Sequence, residues 1–130
     1  MTVQADLAVQ RAGLDTAALT VAGVSLRRMP RFMQAILGGR VQAITLNRRV
    51  FFNASRFDAV VAGEDPVLLA HELIHVAQWA DNGAFLFIVR YMSEYLRLRM
   101  LGVSHDVAYR GISFEHAAYD ASEGIEGRRA

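Results

Sequence analysis

The sequence predicts a mainly helical α+β fold, and three observations predict it. One stretch, Val41 to Asn53, carries a strong strand signal. Two long segments, Asp65 to about Ala80 and Ala84 to Leu101, repeat apolar residues at helical spacing between start and stop signals. The first of these contains His71-Glu72-Leu73-Ile74-His75, a pattern whose chemistry requires a helix. The length of 130 residues suits a single domain, 1–130, with one core.

Composition narrows the function. Hydrophobic residues make up 53% of the chain, enough for a packed core rather than wholesale disorder. A net charge of +1 gives no global pull toward nucleic acid or membrane. All 14 basic residues are arginine, which fits genomic base composition better than a binding role. Cysteine is absent, so no disulfide forms and any zinc site must use His, Asp or Glu. The apolar run Ala84 to Val89 is too short to span a bilayer and meets Arg90 and Glu94. These features predict a soluble, cytoplasmic protein, with export by a non-standard route left open.

In chain order, residues 1–28 are poorly defined. Val3 to Arg11 reads as a short helix, and Leu19 to Leu26 as extended or helical, with Gly23 weakening both. Pro30 and Gly38-Gly39 bracket a short helix with Phe32, Met33, Ile36 and Leu37 on its apolar face. Val41 to Asn53 reads as a hairpin around Asn47-Arg48, followed by a connection, Asn53 to Glu64, with one helical turn. Asp65 caps the central helix, Pro66 suits its first turn, and Asn82-Gly83 ends it. Leu69, Leu73, Val76 and Ala80 form its apolar stripe; His71, His75 and Gln78 form a polar one. In the next helix Phe85, Ile88, Val89, Met92 and Leu96 read as the core face. Arg90, Glu94 and Arg97 read as a solvated stripe, and Tyr91 and Tyr95 as packing at the core edge. Ser104 starts a short helix, His105 to Arg110, and Ser113 a last one through Asp120. The glycine-containing tail, 123–130, reads as frayed.

The chemistry follows from helical geometry. Residues four apart share a helix face, so His71 and His75 can point at one metal ion. Glu72 then stands to deprotonate a water on that metal, the arrangement of zinc hydrolases. The third ligand has three sources. Asp81 occupies the ligand place of a motif that needs glycine where this chain has Gln78, so it stays on the helix, pointing away. Glu115, returned by two helices, completes a His2Glu set, and otherwise stabilises the first turn of its own helix. His116 is the third source, about 100° around the helix from Glu115.

His71-Glu72-Leu73-Ile74-His75-Val76-Ala77-Gln78, the Arg90-Tyr91 helix and the Tyr109-Arg110-x-Ile112-x-Phe114-Glu115-x-x-Ala118 segment resemble the gluzincin zinc metallopeptidases. More narrowly they resemble small bacterial minimal-gluzincin-like domains, including domains of unknown function and the contractile-injection-system core domain. The resemblance spans Pro30 to Asp120. It implies a zincin-like minimal fold, His71, His75 and Glu115 as ligands of Zn2+, and Glu72 as general base in peptide-bond hydrolysis. Tyr109, then His105 and His116, are the candidate donors to a developing oxyanion. The chain departs from the family in carrying Tyr119 where an aspartate partners a zinc histidine; Asp120 or a backbone carbonyl is left to serve. The rival readings are a zinc-binding interaction domain of a larger bacterial assembly, with little or no catalysis, and a metal-free helical domain. The partners expected are a peptide or protein substrate and a protein partner or second copy, with no nucleic acid and no membrane.

Overall fold

The computed structural model describes residues 2–15, 19–38 and 41–129, and the side chains of these through Ser122. Gly39 of the expected helix exit lies outside the described residues, as do the side chains of the tail. The fold is a mainly helical α+β arrangement with seven helices and one small mixed sheet among the described residues.

The chain opens with β1 (Thr2–Gln4), α1 (Ala5–Arg11), β2 (Ser25–Arg28) and α2 (Arg31–Leu37). The hairpin is β3 (Ala43–Leu46) and β4 (Arg49–Phe52), turned at Asn47 with φ 59°. The sheet order is β1-β2-β4-β3, with β2 and β4 parallel and the other pairs antiparallel. Register places Val3, Leu26, Val50 and Thr45 opposite one another in one row, and all four are buried. Three members of the row are apolar and close against the helices. The fourth, at the edge of the sheet, carries a hydroxyl. Strand β1 was not expected, and β2 overlaps only the end of Leu19 to Leu26, which reads as extended or helical; each is three or four residues long and is held by pairing rather than by its own pattern.

Four helices follow the expected hairpin and its successor. The connection after β4 is a full helix, α3 (Ala54–Val61), where one turn was expected. Asn53 caps it by accepting from the Arg56 N–H at 2.9 Å, and Phe57 and Val60 bury its inner face. Then come α4 (Pro66–Asn82), α5 (Ala84–Met100), α6 (His105–Gly111) and α7 (Ser113–Arg129). Asp65 caps α4 through the Leu68 N–H, and Gly83, at φ 78°, turns the chain into α5. Helix α7 continues over the stretch that composition marked as frayed.

Two apolar clusters result. The larger joins the sheet to α1, α3 and α4 through Val9, Leu26, Val50, Phe52, Phe57, Leu69 and Leu73. The smaller joins α4, α5 and α7 through Trp79, Phe87, Ile112 and Phe114. Phe87 stacks on Trp79 on one side and on Phe114 on the other, with centroids 4.5 and 4.6 Å apart.

The core face expected for α5 is overturned. Phe85, Ile88, Val89, Met92 and Leu96 are exposed, while Phe87 is buried with Tyr91 and Tyr95 packed beside it. Glu94, expected in solvent, accepts from the Ser113 hydroxyl at 2.9 Å and from its backbone N–H at 3.4 Å. Its carboxylate thereby serves the exposed backbone donors at the start of α7. The apolar face of α2 is also open: Phe32 and Ile36 are exposed, and no residue of that helix is buried.

Candidate metal centre

The site lies where α4 meets α7, between the two clusters. Helix α4 presents His71 and His75 one turn apart, and α7 brings Glu115 from its first turn. All three side chains are buried. His71 Nε2 lies 3.0 Å from Glu115 Oε1, His75 Nε2 lies 2.9 Å from the same oxygen, and the two nitrogens lie 3.2 Å apart. Ligand atoms held about 2.0–2.1 Å from a tetrahedral ion are separated by roughly 3.3 Å, so this triangle has the dimensions of a metal's coordination face. Among the described residues, His71, His75 and Glu115 are a group that could hold a metal ion.

Each donor is fixed from behind. His75 Nδ1 donates to Gln78 Oε1 at 2.7 Å, and Gln78 Nε2 donates to the Phe114 carbonyl at 2.9 Å. Gln78 thus sets which ring nitrogen of His75 faces the centre and ties α4 to the residue before Glu115. The Tyr91 hydroxyl donates to Glu115 Oε2 at 2.6 Å, leaving Oε1 for the histidines. Tyr119 lies edge-on against the His71 ring with centroids 4.4 Å apart, and the Arg110 guanidinium lies over the Tyr119 ring at 4.5 Å.

Electrostatics follow from burial and this wiring. Burial works to raise the Glu115 carboxyl, but the bonds from His71, His75 and Tyr91 outweigh it and hold the group well below the usual range. Burial opposes charge on His75, yet Glu115 and Glu72 win, and its pKa rises above the ordinary value. Glu72 goes the other way. Burial raises it, and the attraction of His75 and His71 and the Thr45 bond only partly compensate. Tyr91 and Tyr109 are pushed well up, first by burial and then by the Glu115 charge, so both hydroxyls stay protonated as donors.

Glu72 is also buried, on the sheet side of α4. The Thr45 hydroxyl donates to Glu72 Oε2 at 2.7 Å and lies 3.3 Å from its backbone carbonyl. The hydroxyl that ends the apolar row of the sheet therefore holds the carboxylate of the HExxH motif.

Of the expected residues, His71, His75 and Glu115 come together, with Glu72 buried beside the histidines and Tyr109 packed on the neighbouring aromatic cluster. Three others do not. Asp81 is exposed near the end of α4. His116 is turned outward and pairs with Asp120 at 3.2 Å, both side chains largely in solvent, so Asp120 does not support a site histidine. His105 is exposed, and its Nδ1 is 2.8 Å from the Tyr95 hydroxyl. Thr45, Gln78 and Tyr91 were not singled out for the roles they hold. Gln78 had a legible signal, since it shares the polar stripe of the two histidines.

The fold and this centre define a class: a small α+β domain with a buried cluster of two histidines on a helix that packs against the sheet and a glutamate from a second helix. The family model of the eCIS core domain matches residues 8–83, more than half of the chain, and the chain belongs to that family. The match includes His71, Glu72 and His75, and ends before α5. No curated protein and no solved structure was found to match the chain.

Proposed function

We propose that the chain is a zinc-binding domain acting as a protein-interaction component of an extracellular contractile injection assembly. Membership of the eCIS core family supports the setting. The observation that carries the metal is the triangle of His71 Nε2, His75 Nε2 and Glu115 Oε1, three ligand atoms within 4.8 Å of one another in a buried position. With no cysteine in the chain, two imidazoles and a carboxylate are a donor set suited to zinc. Elemental analysis tests it. Protein purified at neutral pH should hold close to one zinc per chain, and His71→Ala should lose it. Zinc no higher than background in the unaltered protein would overturn the proposal.

A second reading, a gluzincin-type metallopeptidase of zincin-like fold, is favoured by one observation, the bond from Thr45 to Glu72. A zinc ion in this set supplies Lewis acidity toward a carbonyl and toward water. Glu72, with Oε2 held by Thr45, keeps Oε1 to take a proton from water and pass it to a leaving amine. Burial raises the pKa of Glu72 above the ordinary carboxylate value, which makes it a stronger base than a solvated carboxylate. Tyr109 stays protonated and is the candidate donor to a developing oxyanion. Strand β3, at the edge of the sheet, offers main-chain groups to an extended peptide. Cleavage of a mixed peptide library by the unaltered protein and not by Glu72→Gln, both loaded with zinc, is the expected result. Equal traces from the two leave the interaction reading alone.

A further inference from the structure

The outer side of α5 is mostly apolar, interrupted by Ser93 and, near its end, Arg99. Phe85, Leu86, Ile88, Val89, Met92, Leu96 and Met100 are all exposed, from 46% for Met92 to 87% for Met100. At 100° per residue they fill one sector of the helix, opposite Phe87 and Tyr91. Leu101 and Val107 are exposed beyond its end. Together these side chains present on the order of 900 Å² of surface, more than a monomer ordinarily leaves in water.

We propose that this face is where two copies of the chain associate, with their α5 helices packed antiparallel about a two-fold axis. Phe85, Val89, Met92 and Leu96 are spaced four, three and four apart, which is the spacing of a two-helix seam. Leu86, Ile88 and Met100 widen it on both sides. A standard interface takes roughly 800 Å² from each partner, so most of this face would be covered in the pair. Charge selects the direction. Arg97 and Arg99 sit exposed at the end of α5 and make no ion pair among the described residues, while Asp81 is exposed beside its start. A parallel pair would set arginine against arginine. An antiparallel pair sets Phe85 against Leu96, and Val89 against Met92, of the second copy, and brings the arginines toward the second copy's Asp81. It also opposes the two helix dipoles favourably. The seam has a consequence for the metal centre, because the inner side of the same helix carries Tyr91 and Glu94, which hold Glu115 and the start of α7.

The test is sedimentation equilibrium of the unaltered protein at about 10 µM, within reach of an interface of this size. The expected mass is that of two chains. Val89→Glu and Met92→Glu, both on the surface, should halve it while leaving the circular dichroism spectrum unchanged. The absence of cysteine allows a second, independent reading. Oxidising a mixture of the Val89→Cys and Met92→Cys proteins should give the mixed disulfide well above either same-residue dimer. A single-chain mass, a dimer indifferent to Met92→Glu, or dominant same-residue disulfides would overturn the proposal. So would a monomer that floats with phosphatidylglycerol vesicles, since lipid would then be the occupant of the face.

Discussion

Tyr91 donates its hydroxyl hydrogen to Glu115 Oε2 at 2.6 Å, and this bond decides which oxygen of that carboxylate faces His71 and His75. The tyrosine comes from α5 and the glutamate from α7, so the geometry of the centre depends on a contact between two helices that α4 does not make. Tyr91→Phe keeps the ring beside Phe87, 5.7 Å away, and removes the donor. A hydrogen bond to a charged group contributes about 1.5–3 kcal/mol, and losing the group that orients a ligand costs about 10–100-fold in metal affinity. Zinc titration against a competing chelator should show a fall of that size with the fold intact. Affinity within a factor of about two of the unaltered protein would mean that Glu115 is placed without Tyr91.

Gln78 makes the corresponding link on the other side. It accepts from His75 Nδ1 and donates to the Phe114 carbonyl, so one side chain fixes both a ring and the approach of α7. Gln78→Met fills similar volume and makes neither bond. It should weaken zinc binding by about 10–100-fold and lower stability by about 1–2 kcal/mol. Gln78→Glu keeps an acceptor for the histidine while setting a carboxylate against the Phe114 carbonyl. Its zinc affinity should fall less than that of Gln78→Met, with a comparable loss in urea stability. Equal losses of affinity would remove Gln78 from the support of His75.

Where sequence and structure agree, the cause is local. The HExxH helix was legible because helical spacing alone puts His71 and His75 on one face, and Asp65, Pro66 and Gly83 mark its ends. The hairpin was legible because Val50 and Phe52 alternate with outward residues. The rest depended on distant partners. Leu26 becomes a strand residue through pairing with Val50, far along the chain, and Val3 through pairing with Leu26. In α5 the apolar stripe was assigned to the core because burial normally follows hydrophobicity. The structure instead buries the side with Phe87 and Tyr91, and a glutamate there, Glu94, accepts from the backbone N–H and the hydroxyl of Ser113 in α7. Helix periodicity locates two faces; it does not say which one meets the rest of the protein. The support expected of Asp120 failed for a similar reason, since it and His116 share the outer side of α7.

Zinc binding should release protons and weaken as pH falls. In the metal-free centre the pKa of His75 is raised; burial opposes its charge, but the bond and charge of Glu115, with Glu72 and Gln78, prevail. Below that raised pKa the imidazole carries a proton, and a ligand nitrogen must lose it. Affinity is therefore full at a pH above the raised value and drops as pH passes down through it. Calorimetric titration in two buffers of different ionisation enthalpy measures the protons released. Net release should grow as pH falls through the raised value, and a pH-independent value near zero would contradict protonated His75 in the free centre.

Thr45 joins the sheet to the motif, and its removal should be felt in both stability and chemistry. The hydroxyl is buried at the end of the row Val3, Leu26, Val50 and is the hydrogen-bond donor to Glu72 Oε2. Thr45→Val preserves shape and suits a strand, so packing against the larger cluster is kept. What changes is that a buried carboxylate loses its donor, at a cost of about 1–3 kcal/mol. The bond favours the charged form of Glu72, so its loss moves the carboxyl further up from its already raised position. Urea unfolding at neutral pH should show the loss in Thr45→Val, and a much smaller one when the same change is made on Glu72→Met, which offers the hydroxyl no carboxylate oxygen. Equal losses in the two backgrounds would mean that the hydroxyl stabilises the sheet edge by itself and that Glu72 is held by burial alone.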